Sequence, residues 1–288
     1  MERGLIRPPP WLPKNTHYEA ITGSVAYGVS SDTSDVDLYG FAIPPKDEIF
    51  PHLRGEIQGF GRQKKRFDQY IQHHIKDAEA RKDYDFTIFS IVKFFSLCME
   101  NNPNMVDVLF VPANCIVYSS QIGQMVREKR HIFLHKGSWH KFKGYAFAQA
   151  HKMRSKNAKG KRKEIIEKHG YDTKYAYHIV RLLLEIEQIM LEGDLDLQRG
   201  REQMKSIRRG EWTVEEIENW AASKEKDLEK VYNESTVIPH GPREAEIKQL
   251  LLDCLEHHYG SLDACVVTDD KLAVALRQIA EIAQKGLS

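Results

Sequence analysis

A glycine–serine pair and two closely spaced aspartates carry the most chemical information in this chain. Residues 22–40 read TGSVAYGVSSDTSDVDLYG. In an extended segment side chains alternate between faces, so Asp35 and Asp37 point the same way. Neighbouring carboxylates disfavour each other's ionisation unless a cation lies between them. Hard divalent ions such as Mg2+ take such an oxygen pair together with substrate phosphates. Gly23 lets the backbone come close to a phosphate, and the Ser24 hydroxyl and nearby amides can hold it. Either half alone is common, as an ordinary turn or a solvated acidic loop. Their order and spacing point to a metal–nucleotide site.

These groups need elements to fix them. Runs of β type occur at Glu19–Thr22, Val36–Ala42, Gln69–Ile75, Asp85–Ser90 and Cys115–Val117. Residues 89–100 read as a helix burying Val92, Phe94, Phe95 and Leu97. Asn101-Asn102-Pro103 ends it, because the residue before proline avoids α geometry. Met105 to Phe110 fits either helix or strand. The polar stretch from Pro44 to Asp85 holds Gly55, Gly59, Gly61 and the cluster Arg62-Gln63-Lys64-Lys65-Arg66. It reads as a hairpin with a basic tip.

From Ser119 onward the pattern turns helical. Between Lys174 and Glu192, Ile179, Leu182, Leu183, Ile186 and Met190 follow a 3.6-residue period, so one face is core. Thr213 and Glu216 have capping-box spacing ahead of Ile217 and Trp220. Residues 243–258 and 269–284 read as two more helices. The organisation expected is an extended, proline-rich arm over 1–14, an α/β catalytic domain over 15–118 and a helical domain over 119–288.

The motifs together resemble the DNA polymerase β-like nucleotidyltransferase superfamily, whose signature is Gly-Ser, a short helix, Asp-x-Asp on a strand and a third carboxylate on a later strand. Gly23-Ser24 and Asp35-Val36-Asp37 match the first two parts. Asp85 is the candidate for the third, with Asp83 as fallback; Glu56 or Asp68 would replace Asp85 if the strand register were shifted. The text Gly-Ser-x-Ala-Tyr-Gly, Ser-Asp-x-Asp-x-x-Gly, Asp-x-Thr-x-x-Ser-x-x-Lys-Phe and Asn-Pro-Asn-Met-Val-Asp-Val-Leu-Phe is similar to the predicted nucleotidyltransferases that include the RNA-repair-pathway type. The resemblance spans about residues 20 to 210 and is dense to about 112.

It implies an α/β (α+β) nucleotidyltransferase-fold mixed sheet with flanking helices, followed by an all-helical C-terminal domain. It implies transfer of an NMP from an NTP such as ATP to a hydroxyl, with pyrophosphate release. Two Mg2+ (or Mn2+) ions would sit on Asp35, Asp37 and Asp85. Gly23, Ser24, Tyr27, Ser34, Lys152, Lys174, His178 and Arg181 become candidate nucleotide-binding residues. Tyr27 stacks on a base or packs in the core. Arg181 meets phosphate or pairs an acid across a helix interface. The acceptor favoured is an RNA (tRNA) 3′ end. The alternatives are nucleotidylation (AMPylation) of a protein hydroxyl, and a non-catalytic NTP- or RNA-binding module of a toxin–antitoxin-like pair. An aminoglycoside-like acceptor would want an acidic pocket.

Composition sets the remaining bounds. At 41% apolar and 29% charged residues the 288-residue chain is globular. No apolar stretch approaches the roughly 20 residues that span a bilayer. The N-terminal residues hold no apolar core of signal-peptide length. Four cysteines without CxxC spacing (Cys98, Cys115, Cys254, Cys265) fit reduced thiols and a cytoplasmic setting. Net charge is +1, yet Lys141 to Lys168 carries a local +8. This block is either a phosphate-backbone contact or a solvated loop. His73-His74, His257-His258 and His151 lack zinc-ligand spacing and read as surface or core histidines. The tryptophans read as packing residues. Leu272, Leu276, Ile279 and Ile282 form an apolar face that packs intramolecularly or in a dimer.

Overall fold

The computed structural model describes residues 4–30, 34–63, 65–80, 82–154 and 161–260, and residue 279. The strands are β1 (Thr16–Thr22), β2 (Val36–Ala42), β3 (Gln69–Asp77), β4 (Lys82–Ser90) and β5 (Ile116–Ser119). They form one mixed sheet in the order β3-β4-β2-β1-β5. β2 and β4 run parallel, and the other neighbours are antiparallel. The helices of the first half are α1 (Leu12–Asn15), α2 (Gly23–Ala26), α3 (Lys46–Ile49), α4 (Ile91–Met99) and α5 (Pro103–Phe110). Those of the second are α6 (Gln121–Glu128), α7 (Ser138–Met153), α8 (Lys161–His169), α9 (Thr173–Glu192), α10 (Arg201–Arg208), α11 (Val214–Glu234) and α12 (Glu244–Tyr259). The architecture is a mixed sheet with flanking helices and a helical C-terminal region.

Alternation along the strands divides the sheet into two faces. Tyr39, Phe41 and Phe89 face the helices and join the main core with Tyr18, Ala20 and Phe94. Leu38, Ala42, Tyr84, Phe86 and Ile88 face the other way and pack with Ile6, Trp11 and Leu12. The N-terminal segment is therefore not a free extended arm. Leu12 is fully buried and α1 is helical, with Pro13 in its first turn where a missing N–H costs nothing. The main core also runs across residue 118 without a break, joining Phe41 and Phe94 to Ile186, Ile217 and Leu250.

Other expectations shift in detail. α4 begins after Ser90, whose hydroxyl accepts from the Lys93 amide as an N-cap. Phe94 and Phe95 are buried and Leu97 packs against the core as expected, whereas Val92 is exposed and Ile91 and Cys98 complete the buried stripe. Met105 to Phe110 lies in α5. The described members of the basic cluster, Arg62, Gln63, Lys65 and Arg66, form no hairpin tip: the hairpin is β3–β4, turning between Asp77 and Lys82, and they lie in the loop ahead of β3. Asp77 explains the turn, because its Oδ1 accepts the Glu79 and Ala80 amides. The capping box at Thr213 and Glu216 forms as expected. Trp139 is buried, and Trp212 and Trp220 pack against the core. Cys98, Cys115 and Cys254 are free and buried. The helix expected over 269–284 and Cys265 lie outside the described residues, apart from Ile279. Among the described residues no helix is long and apolar enough to cross a membrane.

α12 returns to the first half of the chain, against α4 and α6. A histidine pair anchors it. His17 of β1 lies 3.0 Å from Nδ1 of His258 and 2.9 Å from the Ser120 hydroxyl. Burial, with the nearby charges of His258 and His257, pushes the His17 imidazole down to about 4. The unfolded chain takes up this proton near the ordinary value of 6.5, whereas the folded chain does not. Stability is thus fully present above pH 6.5 and declines as pH falls towards about 4. Denaturant unfolding at several pH values in this window should show a shallower decline for His17→Gln than for the parent chain.

Candidate active site

The β2–β4 ladder places Asp37 directly beside Asp85. Adjacent strands lie about 4.8 Å apart, so the two carboxylates project side by side from the helix-covered face. Asp83 lies beyond the first pair of the ladder, Val36 with Tyr84, and is exposed. Asp68 lies at the opposite end of β4, where its carbonyl accepts the Ser90 amide, roughly 16 Å along the strand from Asp85. Glu56 belongs to the loop after Pro51–Arg54 and to no strand. Asp35 is exposed just ahead of β2. Ser34 is partly buried next to it.

Gly23 closes the site from β1. Thr22 pairs with Asp37, and Gly23 follows with φ +65. A Cβ at this position would lie 2.2 Å from Asp37 Oδ2. Both the left-handed backbone and the missing side chain are therefore required. Ser24 continues into α2, whose N-cap Thr22 makes no side-chain cap.

The electrostatics are those of crowded carboxylates. Burial is the main reason the Asp37 carboxyl lies above its usual range, and the charges of Asp85 and Asp35 push it the same way. The charges of Lys174 and His73 oppose them. Asp85 is held by the edge strand: its Oδ1 accepts the His74 amide at 2.8 Å and lies 3.4 Å from His73 Nδ1. Among the described residues no group of three or more His, Cys, Asp or Glu side chains is already arranged to hold a metal ion. Neighbouring carboxylates whose repulsion is only partly offset by Lys174 nevertheless fit a divalent ion whose shell is completed by substrate phosphates.

α9 forms the opposite wall. Its N-terminal half carries Lys174, Tyr177 and His178. His178 packs between Tyr27 and Tyr177. Burial and the cations Arg181, Lys174, Arg208 and Arg162 hold its pKa well below the usual histidine value, so it is a neutral donor and acceptor. Lys152 and Arg162 lie over the Tyr175 ring. Two residues unmarked in the sequence clamp the Gly-Ser turn from α10 and the loop before it: Arg208 donates to the Val29 carbonyl, and Gln198 Nε2 donates to the Ala26 carbonyl at 3.2 Å.

Two candidates occupy other positions. Tyr27 is buried, and its hydroxyl donates to Asp107 at 2.6 Å, so it does not offer a stacking face to a base. Arg181 is buried and pairs with Asp107 and Glu185. Burial raises the Glu185 carboxyl well above its usual range. Of the two readings of Arg181, the structure has the pairing of acids across a helix interface. Asp107 could have been flagged in advance, because a carboxylate within the apolar run of α5 requires a buried partner. The basic block is also less free than its sequence charge implies. Lys141, Lys143, Arg154 and Lys163 pair with Glu100, Glu225, Glu218 and Glu167.

The Gly-Ser turn, the paired carboxylates and the mixed sheet are the parts that a DNA polymerase β-like protein requires. Residues 13–264 match the family described as RlaP, the RNA repair pathway DNA polymerase beta family, and the chain belongs to that family. No curated protein matches it.

Three substitutions test this geometry and its support. Gly23→Ala should cost about 1–2 kcal/mol from its left-handed backbone, and should displace Asp37 and abolish metal-induced thermal stabilisation. Asp37→Asn removes a buried, repelled charge. Without added metal its Tm should exceed that of the parent chain, and adding Mg2+ and NTP should no longer raise it. Arg181→Met leaves two buried acids uncompensated and should destabilise the fold by about 3–5 kcal/mol, measured by denaturant unfolding.

Proposed function

We propose that the chain is a metal-dependent nucleotidyltransferase that moves an NMP from an NTP to a hydroxyl at an RNA end, releasing pyrophosphate. The observation that carries this reading is the in-register Asp37–Asp85 pair beneath the Gly23 turn. Asp35, Asp37 and Asp85 would hold the divalent ions. Bound there, the ions would neutralise charge on the leaving pyrophosphate and acidify the acceptor hydroxyl.

The chain's own groups do the rest. The Gly23–Ser24 turn receives the triphosphate on its amides. Lys174, at the start of α9, adds a positive charge that acts on Asp37. His178, kept neutral, donates to or accepts from the nucleotide. Asp85 takes the proton of the acceptor hydroxyl as its oxygen bonds to the α-phosphorus and the bond to pyrophosphate breaks. Gln198 and Arg208 hold the turn against the helical half and so fix the distance between phosphate and carboxylates. Arg181 and Tyr27 support the turn from below through Asp107, without touching substrate.

The RNA acceptor is supported by the family description and by the cations flanking α9. Lys152 and Arg162 lie over the Tyr175 ring, beside Lys174 in the chain, and Arg162 also lies 3.9 Å from Asp172. A phosphate backbone entering along Lys152 and Arg162 would reach Asp85 from the helical side.

The test is pyrophosphate release from each NTP with Mg2+ or Mn2+, with and without pooled small RNA. Release stimulated by RNA and lost in Asp35→Ala/Asp37→Ala is the expected result. Release without RNA, equally lost in the double variant, would redirect the acceptor to proteins or small alcohols. Absence of release with retained NTP binding would contradict the transferase reading. Lys174→Ala should raise the KM for NTP by about tenfold or more, the worth of one charge-assisted contact, with unfolding unchanged.

A further inference from the structure

His73 and His74 stand where the sequence marked only ordinary surface histidines. They form a β-bulge: the β3–β4 register shifts between Gln72 and Ile75. His74 takes φ +55, a left-handed conformation that costs a non-glycine residue of order 1 kcal/mol. β3 is an edge strand, and bulges collect at edges and next to active sites, where they re-aim side chains. This bulge is aimed at Asp85. The His74 amide donates to Asp85 Oδ1 at 2.8 Å, which fixes the carboxylate on one side. The His73 ring then lies with Nδ1 3.4 Å from the same oxygen.

That spacing is informative. It is longer than the 2.7–3.2 Å range of a good N–H···O bond. Two donors at about 2.1 Å from one ion, set at a right angle, lie roughly 3 Å apart. His73 is also accessible, with its side chain 51% exposed against 28% for Asp85. An imidazole beside a metal-type carboxylate, half open to solvent and adjoining the left-handed His74, has the properties of a ligand more than those of a packing residue.

We propose that His73 is a ligand of the divalent ion held by Asp85, alongside substrate oxygens. This rests on the metal-dependent reading above and deepens it. The two carboxylates Asp35 and Asp37 form an oxygen-only set suited to Mg2+. The Asp85 side differs, because imidazole nitrogen favours ions later in the first transition series over Mg2+. The two ion positions are therefore chemically unequal, and the one on the acceptor side accepts a transition-metal ion more readily than an oxygen-only site does, with Mn2+ as its spectroscopic probe.

The experiment is pulsed electron paramagnetic resonance of Mn2+ bound to the full chain with a non-hydrolysable NTP. It is run on protein carrying natural-abundance histidine and on protein carrying 15N-histidine. The expected result is nuclear modulation from a directly coordinated nitrogen that changes with the isotope and disappears in His73→Gln. Labelling the protein excludes nitrogen of the nucleotide base, and the variant excludes His178. Titration of the same samples should show Mn2+ affinity lowered by about tenfold or more in His73→Gln, with NTP-dependent Mg2+ binding retained. Bound Mn2+ without histidine modulation would overturn the assignment of His73 while leaving the transferase reading intact. Absence of any Mn2+ or Mg2+ binding in the presence of NTP would overturn both.

Discussion

Parallel pairing of β2 with β4 in register is the constraint on which the candidate site depends. It sets Asp37 beside Asp85 at the spacing of neighbouring strands, with both side chains on the face that the helices cover. A one-residue slip of either strand would turn its carboxylate to the opposite face, among Ile6, Leu12 and Phe86. The apolar alternation of the same strands prevents that slip. Phe41 and Phe89 are needed in one core, and Ala42, Phe86 and Ile88 in the other. Register is thus set by burial, and the carboxylates inherit their position from it. They also oppose it, since two repelling acids in a half-buried cleft weaken the ion-free fold. Gly23 sharpens the conflict by leaving the Asp37 oxygen almost against the backbone of the turn.

The helical half resolves a second problem, which is how a turn of four residues stays in place. α2 is too short to be stable alone. It is held by Tyr27 on Asp107, by Gln198 on the Ala26 carbonyl and by Arg208 on the Val29 carbonyl. Asp107, Arg181 and Glu185 in turn join α5 to α9 inside the core. Removing one member of such a cluster is costly because the others are left buried without their partner. The polar groups beneath the turn therefore fix its orientation, and the apolar core that spans both halves fixes the distance from α9 to the sheet.

Much of this was legible in the sequence because it follows from local pattern. The β2 span, the α9 periodicity, the Thr213 capping box and the position of Asp85 at the start of an apolar strand each rest on a few consecutive residues. What was not legible depends on tertiary neighbours. Tyr27 and Arg181 read equally well as ligands or as packing groups until Asp107 is seen between them. The bulge at His73 and His74 follows no compositional rule, since two histidines in a strand do not announce a left-handed φ. The hairpin was placed on the basic cluster because charge and glycine mark turns, whereas the Asp77 side chain makes the real one. The N-terminal segment read as an arm because its prolines are visible, while the surface that Leu12 covers is not.

The central claim is that Asp37 and Asp85 hold an ion against a triphosphate seated on the Gly23–Ser24 turn. Its most direct test is anomalous diffraction from crystals grown with Mn2+ and a non-hydrolysable NTP. The account predicts anomalous density within coordination distance of both carboxylates, with the triphosphate on the turn. A nucleotide bound elsewhere, with no ion at either aspartate, would contradict it.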